Sequence, residues 1–301
     1  MKPVSRRHWM TLCAGAASAA SLTLSGPSRG LRAVAAAANA PFKLGMVTYK
    51  MGEKMTCDQL IALCKEAGLA GVELRTTHGH GVELSLSKSE RADVRKKFED
   101  SGVVLVGLGS TYEFHSNNPA VVKKNIEGAK EYAQLAADVG AGGIKVRPNG
   151  VNKGEELAVT HERIGKAWGE VAAAAAGLGV EVRMEVHGSE GSREPKSVRA
   201  MLDHANHANA KVCWNCNGGE TDENGSIRAN FDLLKHALGL VHINDIGVPK
   251  YPWQELFDLL KECGYSGYCL AEIEGNDDPA RFMRYYRTLF DLYTGQPTWP
   301  A

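Results

Sequence analysis

From Pro41 onward the chain repeats one pattern of apolar and polar positions. An amphipathic stretch at helical spacing ends in glycine, and a short link leads into an apolar run of strand length. QLIALCKEAGLAGVEL (59–74) and ELFDLLKECGYSGYCL (255–270) show it most plainly. Looser copies end near Gly102, Gly140 and Gly177, each followed by an apolar run. The pattern predicts strands at 42–49, 71–75, 103–110, 142–148, 180–186, 211–217, 240–246 and 267–274. Helices are expected at about 56–67, 88–101, 119–139, 155–177, 196–207, 228–238, 253–263 and 279–293. Strands alternating this evenly with helices predict a single-domain (β/α)8 TIM barrel over residues 41–301. An open doubly wound sheet is the competitor. It would usually place a glycine-rich nucleotide turn after its first strand, where this chain reads Thr48-Tyr49-Lys50-Met51-Gly52.

Residues 1–40 break the pattern. Ser5-Arg6-Arg7-His8-Trp9-Met10 resembles a twin-arginine export signal, and an Ala/Ser-rich apolar run then leads to Ala38-Asn39-Ala40. This predicts a signal peptide and spacer, and a periplasmic protein without stable membrane insertion, because the run is too short for a confident span. Formal net charge is zero, but the leader holds Lys2, Arg6, Arg7, Arg29 and Arg32 and no acid; the remainder has 30 basic against 35 acidic residues. That balance argues against a nucleic-acid partner, which requires a basic footprint. Six cysteines follow Cys13, and Cys213-x-x-Cys216 is read as buried thiols, since its side chains would face opposite sides of a strand with no second pair nearby.

In such a barrel the chemistry lies at the C-terminal ends of the strands. The later strands end in Glu185 and His187, Asn215 and Asn217, His242 and Asp245, and Glu272 and Glu274. The earlier ones supply Glu73, Arg75, Glu113, His115, Lys145 and Arg147, with His78 and His80 in a glycine-rich loop. A single buried histidine or strand-end glutamate is more often packing or an ion-pair partner than a ligand. Four O and N donors on four successive strands are harder to explain that way, and they suit Mn2+, Mg2+ or Co2+ better than a thiolate zinc site.

GVEL (71–74), MEVH (184–187), VHIND (241–245) and LAEIE with Asp278-Pro279 resemble the xylose-isomerase-like barrel superfamily, the sugar isomerases and epimerases related to endonuclease IV. The likeness runs from about Lys43 to Tyr293. It implies one divalent ion, Mn2+ first, with Mg2+, Co2+ or Zn2+ as alternatives. The family's Glu, Asp, His and Glu ligands map onto Glu185, Asn215, His242 and Glu272, at intervals of 30, 27 and 30 residues. The sixth-strand position departs from the family, since Asn215 is neutral where an aspartate is usual, and Asn217 is the other amide available there.

The resemblance implies proton abstraction beside a sugar carbonyl through an enediolate, with Glu185 and Glu272 as base and acid. His187, Lys145, Arg147, Glu73 and Asp245 are the expected substrate-side residues; an internal ion pair (Glu73, Lys145) or the orienting of a ligand (His187, Asp245) is the alternative. The partner is a small sugar, keto-sugar or glycoside, neutral if the protein is exported. Family members often pair, which admits a homo-oligomer, although no segment names an interface. Two other readings stand beside the isomerase/epimerase: a lyase eliminating the aglycone of a 3-keto-glycoside, and a sugar-binding barrel without catalysis.

Overall fold

Eight parallel strands close on themselves in chain order, each bonded to its sequence neighbours and β8 back to β1. In this computed structural model the described residues are 42–297; the leader, Cys13 and the boundary expected at residue 40 lie outside them. The strands are β1 (Lys43–Val47), β2 (Gly71–Arg75), β3 (Val104–Glu113), β4 (Gly143–Arg147), β5 (Glu181–Glu185), β6 (Ala210–Asn215), β7 (Leu238–Ile243) and β8 (Tyr268–Ala271). Between and after them run α1 (Cys57–Glu66), α2 (Lys88–Ser101), α3 (Pro119–Val139), α4 (Leu157–Ala176), α5 (Pro195–Ala205), α6 (Arg228–Leu234), α7 (Trp253–Glu262) and α8 (Pro279–Thr294). The single-domain (β/α)8 barrel is therefore the fold. No helix among the described residues is long and apolar enough to cross a membrane.

Local chemistry explains the element ends. Thr56 and Ser87 close capping boxes with Gln59 and Glu90 at the starts of α1 and α2. Gly102 and Gly140 take left-handed backbone at the ends of α2 and α3, where a side chain would be strained. Several element ends depart from expectation: β3 runs on to Glu113 and β7 stops at Ile243. The 228–238 helix stops at Leu234 and tightens into a 3-10 turn at Lys235–Ala237, and β8 ends at Ala271, leaving Glu272 just beyond it.

Period-two alternation sorts side chains between two cores. Outward residues such as Ile144, Val182, Met184, Val212, Trp214 and Val241 pack under the helices in the main apolar layer. Inward residues Val47, Val106, Cys213, Leu240 and Leu270 form a small apolar plug inside the barrel. Two positions beyond Cys213, Leu240 and Leu270 come Asn215, His242 and Glu272. Each later strand thus carries its apolar inward residue one step before its polar one. At the other end Arg183 fills the barrel, donating to the Val106 carbonyl and to Glu181, both at 2.9 Å. Gly143 makes room for it, since a Cβ there would stand 2.7 Å from the guanidinium carbon.

Candidate metal and substrate site

The polar centre is buried. Glu73, Lys145, Glu185, Asn215 and His242 are each at most 2 % exposed. Lys145 Nζ donates to Glu185 Oε1 at 2.9 Å and stands 3.9 Å from Glu73. The Asn215 amide donates to the same Glu185 oxygen at 3.0 Å. His242 sits among three carboxylates: Nδ1 lies 3.4 Å from Glu185 and 3.6 Å from Glu272, and Nε2 lies 3.5 Å from Glu73.

Burial by itself would neutralise these groups, but their neighbours override it. Burial lowers the proton affinity of Lys145, yet Glu185 and Glu73 more than offset this, and the ammonium is retained. Glu185 is held ionised against burial chiefly by Lys145 and then by His242. Burial opposes protonation of His242 too, and its neighbours, the Cys213 thiol and the Glu73 and Glu185 carboxylates, raise it well above the usual imidazole range.

Ligand atoms of Glu185, His242 and Glu272 all lie within 4.8 Å of one another. The Asn215 carbonyl oxygen and both His242 ring nitrogens are buried without a hydrogen-bond partner. The Asn215 oxygen is an orphaned acceptor, costly unless something electropositive meets it. Two carboxylates, an imidazole and an amide oxygen are a fitting donor set for a hard or borderline divalent ion. The residues present therefore fit the group that the resemblance implies. Lys145 supplies positive charge at the same place, so the centre is partly compensated by the chain's own cation.

Above this centre opens a cavity of about 550 Å³, lined by Lys145, Arg147, Glu185, His187, Asn215, Asn217, Asp245 and Glu272 among others. Eight of the sequence-derived site residues are thus brought to one place or its rim, His242 lying beneath. Glu73 is placed differently from the rest: it is not part of the cavity lining but faces Lys145 and His242 below it. Asn217 lies past the end of β6, its amide 3.5 Å from the Val186 carbonyl. His80 is a loop clamp, accepting from the Val82 amide and bonding the Arg75 carbonyl at 2.7 Å.

Sequence reasoning passed over several rim residues. Asn149 links Glu113 to His187, with its side-chain oxygen 2.9 Å from His187 Nδ1. It holds a left-handed backbone (φ 55°) just after β4, and the Pro-Asn-Gly run at 148–150 is the signal that could have marked it. Tyr49 and Asn244 also face the cavity.

A closed parallel barrel with carboxylates, imidazole and amide converging at the C-terminal strand ends defines a (β/α)8 protein with a metal-compatible centre. The chain belongs to the xylose isomerase-like TIM barrel family, whose model matches residues 61–288. Among solved structures it is similar to D-psicose 3-epimerase from Clostridium cellulolyticum H10 with D-tagatose, at 15% identity over 85% of this chain and 100% of that one, TM-score 0.70. It is also similar to a 3-keto-D-glucoside 4-epimerase from E. coli, apo form, at 16% identity over 84% and 98% of the two chains, TM-score 0.67. L-ribulose 3-epimerase gives 15% identity over 84% and 94%, TM-score 0.71. At these identities the likeness establishes the fold. No curated protein sequence matches.

Proposed function

We infer that the protein is a divalent-metal-dependent sugar isomerase or epimerase, with Mn2+ as the first candidate ion. The observation that carries this reading is the convergence of Glu185, His242 and Glu272, with the orphaned Asn215 oxygen beside them, at the floor of a sugar-sized cavity. Two similar structures are named as 3-epimerases of free sugars and a third as an epimerase of a 3-keto-D-glucoside, which supports the same class of substrate.

Glu185, Asn215, His242 and Glu272 would hold the ion. When bound, it supplies positive charge for the oxygen of a sugar carbonyl as negative charge develops there. The chain's own groups handle the proton. Glu185 and Glu272 flank the cavity floor on two strands well apart in the barrel, so one can take a proton from a carbon beside the carbonyl and the other return one to its opposite face. Lys145 keeps Glu185 ionised and in place. His187, fixed by Asn149, Asp245 and Arg147 present polar groups to the rest of the substrate. Deep burial of the centre excludes water, which strengthens each of these interactions.

The test is exchange of substrate C–H with solvent deuterium by the metal-loaded protein across keto-sugars and 3-keto-glycosides. Exchange that disappears in Glu185→Gln and Glu272→Gln is expected. No exchange in protein of confirmed metal content would leave a sugar-binding barrel instead. Release of free aglycone from a 3-keto-glycoside would identify the lyase, which uses the same base and ion; the 3-keto-D-glucoside named for the E. coli structure puts that substrate in the panel. We also propose export through the Arg6-Arg7 leader, tested by fractionating cells that express wild type and an Arg6→Lys, Arg7→Lys variant.

A further inference from the structure

Arginine on this molecule is almost always matched. Among the described residues, ten of the twelve arginines have a carboxylate within 4 Å, from Arg91 with Asp138 to Arg287 with Asp291. The two without one are Arg75 and Arg147, and both line the cavity above the polar centre. Arg75 ends β2 and Arg147 ends β4, on either side of β3. Gly109 of β3 pairs with both Arg75 and Lys145, so Arg75 and Lys145 are level and Arg147 lies two residues nearer the mouth.

Arg75 is set in place by an aromatic ring, and Arg147 is left without a partner among the described residues. The Arg75 guanidinium carbon lies 5.2 Å from the Tyr49 ring centre, a cation–π contact that orients the fork. Arg147 Nε is buried without a hydrogen-bond partner. The nearest carboxylate by strand register, Glu113, is engaged by the Asn149 amide instead. Across the mouth Glu274 is held by Lys50 at 2.9 Å, so it too is already paired.

We propose that the sugar carries an oxyanion, a carboxylate or a phosphate, at the end remote from the reacting carbon, and that Arg75 and Arg147 receive it. This rests on the sugar-enzyme reading above and adds the substrate's charge to it. Guanidinium forks bind planar and tetrahedral oxyanions through paired charge-assisted bonds, and two of them left unmatched by the chain are worth more to an anion than to a hydroxyl. The proposal departs from the neutral sugar that export suggests; a carboxylate sugar is the form compatible with both.

Calorimetric titration at constant ionic strength with D-glucuronate, D-glucose 6-phosphate and D-glucose tests it. At least one anion is expected to bind about tenfold or more tightly than D-glucose, the range of a charge-assisted contact. Whichever anion binds better identifies carboxylate or phosphate as the group received. Arg75→Gln and Arg147→Gln should each reduce the preference. Arg147→Lys, which keeps the charge but not the fork, should retain part of it and guards against a variant that simply misfolds. No preference for either anion in wild type, or a preference that survives both glutamine variants, would overturn the assignment. These readouts are independent of deuterium exchange: exchange of neutral sugars without anion preference removes this proposal alone, and anion binding without any exchange removes the enzymatic reading alone.

Discussion

Lys145 and Asn215 set the charge of the centre, and neither role is visible in a list of ligands. Lys145 is the cation between Glu185 and Glu73, all three buried. Removing it as Lys145→Met leaves Glu185 and Glu73 with His242 as their shared positive neighbour, and breaking the buried pair costs about 3–5 kcal/mol. The expected result is a marked fall in thermal midpoint that added Mn2+ partly restores, because a bound ion supplies the missing positive charge. A variant as stable as wild type in chelator would show that Lys145 compensates nothing. Asn215 acts in the opposite sense. Asn215→Asp adds a negative charge within reach of Lys145 and the ligand set, so metal affinity should rise on the order of tenfold, as ligand charge count tunes such sites. Equilibrium dialysis against Mn2+ reads this directly, and unchanged affinity would move the ligand away from position 215. That the four candidate ligand positions share one end of the barrel was legible because inward strand residues recur at even register and the family pattern fixes which end matters. An internal Glu73–Lys145 pair was the alternative reading, but the tighter Lys145–Glu185 bond was not legible, since which strand-end side chains meet depends on barrel stagger, which spacing along the chain does not encode.

At the scale of elements, the strand and helix order could be read almost whole, since glycine stops and period-two runs are local signals. Glu272 shows where that reading weakens. Its strand was expected to continue to residue 274, yet the regular strand ends at Ala271; beyond it Glu272 N still donates to the Ile243 carbonyl at 2.9 Å and the Ile273 carbonyl accepts from Met51 N at 3.3 Å. The loop after β6 is another element that the sequence leaves plain and the fold makes consequential. Glu220 lies there, 1 % exposed, accepting from the Gly218 amide at 2.8 Å beside Asn217 of the cavity lining. Burial pushes its carboxyl from 4.5 up to about 7, although the backbone amides and Arg193 oppose the rise. The folded state therefore holds a proton that the unfolded chain has lost between those pH values. Its contribution is fully present below the unfolded value and is lost as pH rises through about 7, by about 3 kcal/mol in all. Thermal midpoints of wild type and Glu220→Gln should agree near pH 5 and separate near pH 8, with the variant the more stable. Parallel curves at both pH values would remove Glu220 as the cause.

For the molecule as a whole, the donor set couples strands that are far apart in the chain. Glu185, Asn215, His242 and Glu272 come from β5, β6, β7 and the end of β8, and β8 closes the barrel on β1. An ion held by all four joins half of the sheet to its seam, a constraint that the unfolded chain cannot offer. Ligand that binds only the folded state stabilises it by about 2.7 kcal/mol at a hundred times its dissociation constant, which is roughly 5–10 °C for a barrel of this size. Protein stripped with chelator should accordingly melt at lower temperature than protein with excess Mn2+, and the midpoint should climb with the logarithm of metal concentration. The response should be a single cooperative shift, because the apolar plug of Val47, Val106, Cys213, Leu240 and Leu270 joins early and late strands beneath the site. Glu272→Gln, which lies at the mouth side of the centre and keeps its shape, should flatten the dependence without lowering the melting point of the stripped protein. A wild-type midpoint indifferent to Mn2+, Mg2+, Co2+ and Zn2+ alike would mean that Lys145 and protonated His242 are the only cations this centre takes, and the catalytic reading would then have to do without an ion.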